Sequence, residues 1–259
     1  MKKTYSFDEL MNIIRRLRDK DGCPWDREQT HESLKSALIE EAYEAVEAIN
    51  NKDNENLCEE LGDVLLQVVM HAAIAEEMKE FAIEDVITAE CNKMINRHPH
   101  VFGDAVVSDA QSVLKNWDEI KSKEKNHKNT SESILSIPKA LPANIRAEKV
   151  QKKAAKTGFD FESYEQVLDK VYEELEELKQ AKEIGNMEDI EEEFGDLMFT
   201  VVNLSRFLHL NAENSLTNAT NKFINRFVSV ECLAEQDGKH LKEMSIEEMD
   251  ALWGRIKRE

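Results

Sequence analysis

The sequence is short of the residues that break helices. Among its 259 residues are only eight glycines and four prolines. That scarcity excludes a loop-rich sandwich, a propeller or a collagen-like chain. The four cysteines, Cys23, Cys58, Cys91 and Cys232, form no CxxC pair. A zinc ribbon is therefore not expected, and the thiols read as reduced, in a reducing compartment. No run of 18 apolar residues occurs, and MKKTYSFDEL lacks an apolar h-region. Neither a membrane partner nor a secretory signal is expected, and a cytoplasmic location follows. Positive charge is also in deficit. Thirty-four Lys and Arg face 53 Asp and Glu, a formal charge of −19. Affinity for a nucleic-acid polymer depends on cations that displace counterions, so no such partner is expected. A surplus of carboxylates suits divalent cations instead.

Apolar residues make up 41% of the chain, enough for a folded core. Glu, Lys, Leu, Ala and Ile dominate, and these favour helix. The patterning predicts helices over 7–20, 32–50, 55–79, 83–97 and 109–121. In 32–50 the apolar positions Leu34, Leu38, Ala42, Ala45 and Ile49 recur every three or four residues. Residues 122–136 are polar and weakly patterned, and Ile137-Pro138 and Leu141-Pro142 restart the chain. An all-α protein is expected, with domains at 1–121 and 141–259 joined by a polar linker at 122–140.

The second half repeats the first. Glu40-Glu41-x-x-Glu44 returns 133 positions on as Glu173-Glu174-x-x-Glu177. At the same offset Glu60-Leu61-Gly62-Asp63 returns as Glu193-Phe194-Gly195-Asp196. Lys93-x-x-x-Arg97 returns as Lys222-x-x-x-Arg226, and Trp117-x-x-Ile120-Lys121 as Trp253-x-x-Ile256-Lys257. Two homologous helical bundles are the simplest account.

Residues three and four apart share a helix face. Glu41 and Glu44 therefore project together, as do Glu60 and Asp63 on the next helix. Antiparallel packing would bring both pairs into one quartet, and Glu174, Glu177, Glu193 and Asp196 into a second. Like charges so close repel and raise one another's pKa. A bound Mg²⁺, or Mn²⁺ in its place, relieves that repulsion. Gly62 and Gly195 lie between the acids, where a mid-helix glycine points to something passing close to the backbone. Lys222 and Arg226, at i and i+4, form a pair suited to phosphate. Trp253 is open to two readings, a base-stacking platform or a core residue. Trp25 and Phe159 are expected to anchor the loop before the first motif helix of each copy. Met70, Met78, Met94, Met187 and Met198 read as core fillers.

EExxE, 15 residues, then ExxD resembles the signature of the all-α nucleoside triphosphate pyrophosphohydrolases. Gly22-Cys23-Pro24-Trp25-Asp26, Glu59-Glu60-Leu61-Gly62-Asp63-Val64, Arg97-His98-Pro99-His100-Val101-Phe102 and Lys170-Val171-Tyr172-Glu173-Glu174 extend the resemblance to the MazG family over nearly the whole chain. It implies two MazG-like bundles, a homodimer and Mg²⁺-dependent hydrolysis of nucleoside triphosphates, NTPs and dNTPs, between the α and β phosphates. It also implies a role in limiting aberrant or signalling nucleotides. Carried over by position, it implies metal ligands at Glu174, Glu177, Glu193 and Asp196. Glu173 and Glu174 become the catalytic carboxylates. Substrate contacts fall to Lys170, Glu173, Glu192, Asp196, Lys222, Arg226 and Trp253. Glu41, Glu44, Glu60 and Asp63 form the N-terminal candidate metal site. Lys170 aligns with Ala37, which favours the C-terminal domain as the principal catalytic one. Asp189 departs from the family, where a basic residue is expected.

Three rivals remain at this level. One is a non-enzymatic acidic scaffold or regulator. Another is a pyrophosphatase narrowed to particular dNTPs. The third, a di-iron bundle, would draw on Glu28-x-x-His31 and Glu124-x-x-His127, both in polar stretches.

Overall fold

The computed structural model describes residues 3–257 apart from 106, 108, 110, 111, 114, 115, 118, 119, 122, 123 and 125–128. The helix expected over 109–121 and the start of the expected linker lie partly outside the described residues. Every regular element among the described residues is helical. The chain divides into two units, Met1–Glu124 and Lys125–Glu259.

In the first unit, α1 (Phe7–Arg18) begins with a capping box in which Ser6 and Glu9 satisfy each other's backbone N–H groups. A short α2 (Pro24–Glu28) follows. Then α3 (Lys35–Asn51) and α4 (Asn54–Met78) form the main hairpin. Lys52 turns it in the left-handed conformation at φ 56°, and the Asp53 carboxylate accepts from the N–H groups of Glu55 and Asn56. After α5 (Ile83–Arg97) comes the single turn α6 (Pro99–Phe102). Met11 and Ile14 of α1 pack on Val69, Met70, Ala72, Ala73 and Ile74 of α4, with Leu34 and Ile83 closing the cluster.

The second unit repeats the hairpin. Before it come α7 (Thr130–Leu135) and α8 (Ala143–Ala155). The stretch read as a polar linker thus contains a helix, and that helix packs on α8, where the Lys153 ammonium donates to Ser133. The hairpin itself is α9 (Tyr164–Ile184) and α10 (Met187–Phe207). Gly185, at φ 84°, occupies the turn position that Lys52 holds in the first copy. Gln151 of α8 donates to the carbonyl of Phe199 at 2.8 Å and fixes α8 to α10. Helix α11 (Ala212–Gln236) and α12 (Ile246–Ile256) form a second small core from Val230, Ala234 and Leu252.

Two packing expectations are corrected. Trp25 is 65% exposed and Phe159 82%, so neither anchors its loop. Polar contacts hold those loops. The buried Arg18 guanidinium donates to the carbonyls of Asp26 and Gln29 and pairs with Glu77, while Arg206 pairs with Asp160 at 2.7 Å. Of the five methionines, Met70 is buried and Met94 half-buried, but Met78, Met187 and Met198 are exposed. Met187 follows the hairpin turn and is 72% exposed. Met198 belongs to an apolar stripe on α10. Phe194, Met198 and Val201 are spaced by four and three, so they share a face, and all are exposed. The same stripe stands on α4 as Leu61, Leu65 and Val68, also exposed.

Candidate metal and nucleotide site

Each hairpin brings carboxylates together. On α9, Glu174 and Glu177 lie one turn apart and face Glu193 of α10. Oxygens of these three lie within 4.8 Å of one another. In the first unit Glu41, Glu44 and Glu60 form the same group within the same limit. Asp196 and Asp63 stand outside these tight groups but close enough to act on them electrostatically.

The electrostatics follow from this crowding. Partial desolvation, then Glu177, Glu174, Asp196 and Glu192, push the Glu193 carboxyl above its usual 4.5. Desolvation, then Asp63, Glu44 and Glu60, raise Glu41. Desolvation, then Glu44, Asp63 and Glu59, raise Glu60. The groups differ in one respect. Lys170 Nζ lies 2.6 Å from Glu173 and 2.9 Å from Glu174, and these contacts raise the Lys170 pKa. Ala37 holds that position in the first unit. Glu173 and Glu192 are exposed, whereas Glu174 is only 5% exposed.

A raised carboxyl takes up a proton more readily in the folded chain than in the unfolded one. Its stabilising contribution is fully present below 4.5 and is lost as pH rises through the raised value. Metal-free Glu193→Gln is therefore expected to melt at a higher temperature than the wild type at neutral pH. The gap should close as pH falls to 4.5 and below. Thermal melts with chelator across that range check the sign. A gap that widens toward acid would contradict it.

The basic candidates lie elsewhere in the second unit. Lys222 and Arg226 are on α11, and neither takes an ion pair or hydrogen bond among the described residues. Trp253 of α12 is half-buried against the Val230, Ala234 and Leu252 cluster, its ring 5.2 Å from Phe223 and tilted by 45°. Their counterparts are neutralised. Lys93 pairs with Glu90, and Glu124 accepts from Arg97 Nε at 2.9 Å and Nη2 at 2.6 Å. The Arg97 guanidinium also lies 5.6 Å over the Trp117 ring. The sequence held no periodic signal for Glu124 on Arg97 or for Phe223 against Trp253, since both depend on how separate segments cross.

Gly62 and Gly195 have open space beside them. A Cβ built at either meets nothing within 4 Å. Among the described residues, no other part of this chain makes the close approach read from these glycines. Neither acidic group includes a histidine among the described residues; His31 Nδ1 lies 2.8 Å from His71 Nδ1, and His127 of the second Glu-x-x-His string lies outside the described residues.

The fold and its duplicated acidic hairpin define an all-α class with two candidate metal sites, and comparison with known proteins says which family this is. The model of the MazG nucleotide pyrophosphohydrolase domain matches residues 29–102 and 162–230, one match on each hairpin. The chain belongs to the MazG family and is a nucleoside triphosphate pyrophosphohydrolase of that family. It is 50% identical over 251 residues to the Thermotoga maritima nucleoside triphosphate pyrophosphohydrolase/pyrophosphatase MazG, covering 97% of this chain and 95% of that one. The Escherichia coli K12 nucleoside triphosphate pyrophosphohydrolase is 40% identical over 255 residues, 97% of each chain. An uncharacterised Bacillus subtilis protein, YabN, is 48% identical over 256 residues, which span 98% of this chain and 52% of YabN.

Proposed function

We propose that the chain hydrolyses both ribo- and deoxyribonucleoside triphosphates between the α and β phosphates, with broad base tolerance, and that the second unit is the principal site. The observation that carries this reading is the asymmetry of the two copies. Both gather three carboxylates, but only the second leaves its i, i+4 cationic pair unneutralised.

The donor set fits a hard divalent cation. It is wholly carboxylate, its members repel one another, and burial and neighbours already raise Glu193. Glu174, Glu177, Glu193 and Asp196 would hold Mg²⁺, with Mn²⁺ as the alternative. Bound there, the ion supplies neutralisation for the departing pyrophosphate and acidity for the attacking water. Glu173 lies beside Lys170 and is the candidate base for that water, with Glu174 behind it. Lys222 and Arg226 share a face and would clamp the phosphates. Lys170, Glu192 and Asp196 complete the contacts, and Trp253 offers a sequence-tolerant surface to the base. Glu41, Glu44, Glu60 and Asp63 form a second metal set in the first unit. Of the domains read as 1–121 and 141–259, the second also takes in the helical part of the 122–140 segment, Thr130–Leu135.

The unpartnered stripes on α4 and α10 support a homodimer. A second copy would cover Leu61, Leu65 and Val68 and Phe194, Met198 and Val201, and the open space beside Gly62 and Gly195 would admit its backbone. Four free cysteines agree with a cytoplasmic enzyme, and no helix among the described residues is long and apolar enough to cross a membrane. The enzyme would limit aberrant or signalling nucleotides.

Product analysis tests the reading. The protein is incubated with each common NTP and dNTP and Mg²⁺, and the products are separated by ion exchange. Monophosphate and pyrophosphate are expected from all of them. Diphosphate and orthophosphate would reject the bond assigned, turnover of one dNTP alone would reject the breadth, and no turnover would favour an acidic scaffold.

A further inference from the structure

Lys170 does more in this structure than wait for a phosphate. Its Nζ touches both Glu173 and Glu174, at 2.6 and 2.9 Å. Glu174 is in turn one of the three carboxylates whose oxygens converge. The side chain of Glu174 is 6% exposed and that of Lys170 32%, so this contact lies at the sheltered edge of the acidic group. An ammonium of the chain thus already lies on an oxygen donor that a divalent cation needs. The first unit lacks it. Ala37 stands in the same column, and Glu41, Glu44 and Glu60 take no ion pair among the described residues. The two acidic groups are otherwise built alike, so the chain carries its own comparison.

We propose that Lys170 is an internal counter-ion of the second unit. In the nucleotide-free protein it neutralises Glu174 and competes with the divalent cation for that carboxylate. This rests on the reading that Glu174, Glu177 and Glu193 hold the metal. Two positive charges cannot share one carboxylate face without repulsion, so the lysine sets the metal affinity of the free site below that of its first-unit twin. Such a lysine keeps the empty site folded against its own negative charge. It also leaves the ammonium beside the metal set, free for another anion once the carboxylate is taken up. Lys170 is in this respect a positioning residue.

The test is Mn²⁺ binding to the nucleotide-free full chain, read from the free-ion electron paramagnetic resonance signal. Glu41→Gln with Glu44→Gln silences the first unit, so the second is read alone. In that background Lys170→Met is expected to bind Mn²⁺ about tenfold more tightly than its parent, the scale of one ammonium removed from a partly solvated site. The reciprocal variant, Ala37→Lys with Glu174→Gln and Glu177→Gln silencing the second unit, is expected to bind about tenfold more weakly than its own parent. A lysine that merely braces the helix would move melting temperatures and leave both affinities in place. Unchanged affinity in both pairs overturns the proposal. Absence of Mn²⁺ binding in the second unit, with or without Lys170, overturns the metal reading itself, and the proposal with it.

Discussion

Replacing Phe194 and Met198 together with glutamate is expected to convert a dimer into monomers and to remove most of the activity. Both side chains lie on one face of α10, with Val201 a turn further on, and all three are exposed. Burying a side chain of this size is worth about 1.5–3 kcal/mol, so each stripe left uncovered forgoes several kcal/mol. The matching stripe Leu61, Leu65 and Val68 doubles the apolar surface that needs a partner. Exposed apolar residues scattered singly carry no such message, but two repeated three-residue stripes do. Two carboxylates placed in that interface would be buried without partners, which costs more than the apolar contact gains. Light scattering on the purified chain, with pyrophosphate release measured on the same samples, checks both halves. Phe159→Glu is the control, because that ring is 82% exposed on a loop before α9; neither property should change. A wild type that is monomeric and fully active would contradict the covered stripe.

The acidic hairpins were legible in the sequence because their geometry is local. Two glutamates three apart must share a helix face, and a short turn then brings the facing pair alongside. Expected helices and observed ones accordingly agree closely, 55–79 against Asn54–Met78 and 83–97 against Ile83–Arg97. The hairpin turn was legible as a position and not as a residue type. Lys52 and Gly185 adopt the same left-handed conformation, and only the glycine announces it. Contacts between separate segments were not legible. Glu124 reaches Arg97 from a stretch that reads as the edge of a linker. Phe223 meets Trp253 across two helices whose crossing no periodicity encodes. The exposure of Trp25 and Phe159 has a related cause. Aromatic content predicts burial on average, but these loops are held by Arg18 and Arg206 instead.

Glu174 carries the largest single effect expected on catalysis. It is the most buried member of its acidic group, and it pairs with Lys170 while its oxygen lies among those of Glu177 and Glu193. Glu174→Gln keeps the shape and removes the charge. The fold should tolerate it, since one source of repulsion around Glu193 disappears. Pyrophosphate release should fall by about a thousandfold, equivalent to about 4 kcal/mol of transition-state stabilisation. Glu41→Gln makes the same change in the first unit. There Lys93 and Arg97 are already tied to Glu90 and Glu124, and Ala37 replaces the lysine. Activity should stay within about threefold of the wild type, a change of less than 1 kcal/mol. The most direct measurement is therefore pyrophosphate release from ATP with Mg²⁺ by the wild type, Glu174→Gln and Glu41→Gln in one assay. Activity lost in Glu174→Gln and kept in Glu41→Gln is the expected result. Activity kept in Glu174→Gln and lost in Glu41→Gln would place the chemistry in the other hairpin and contradict the account.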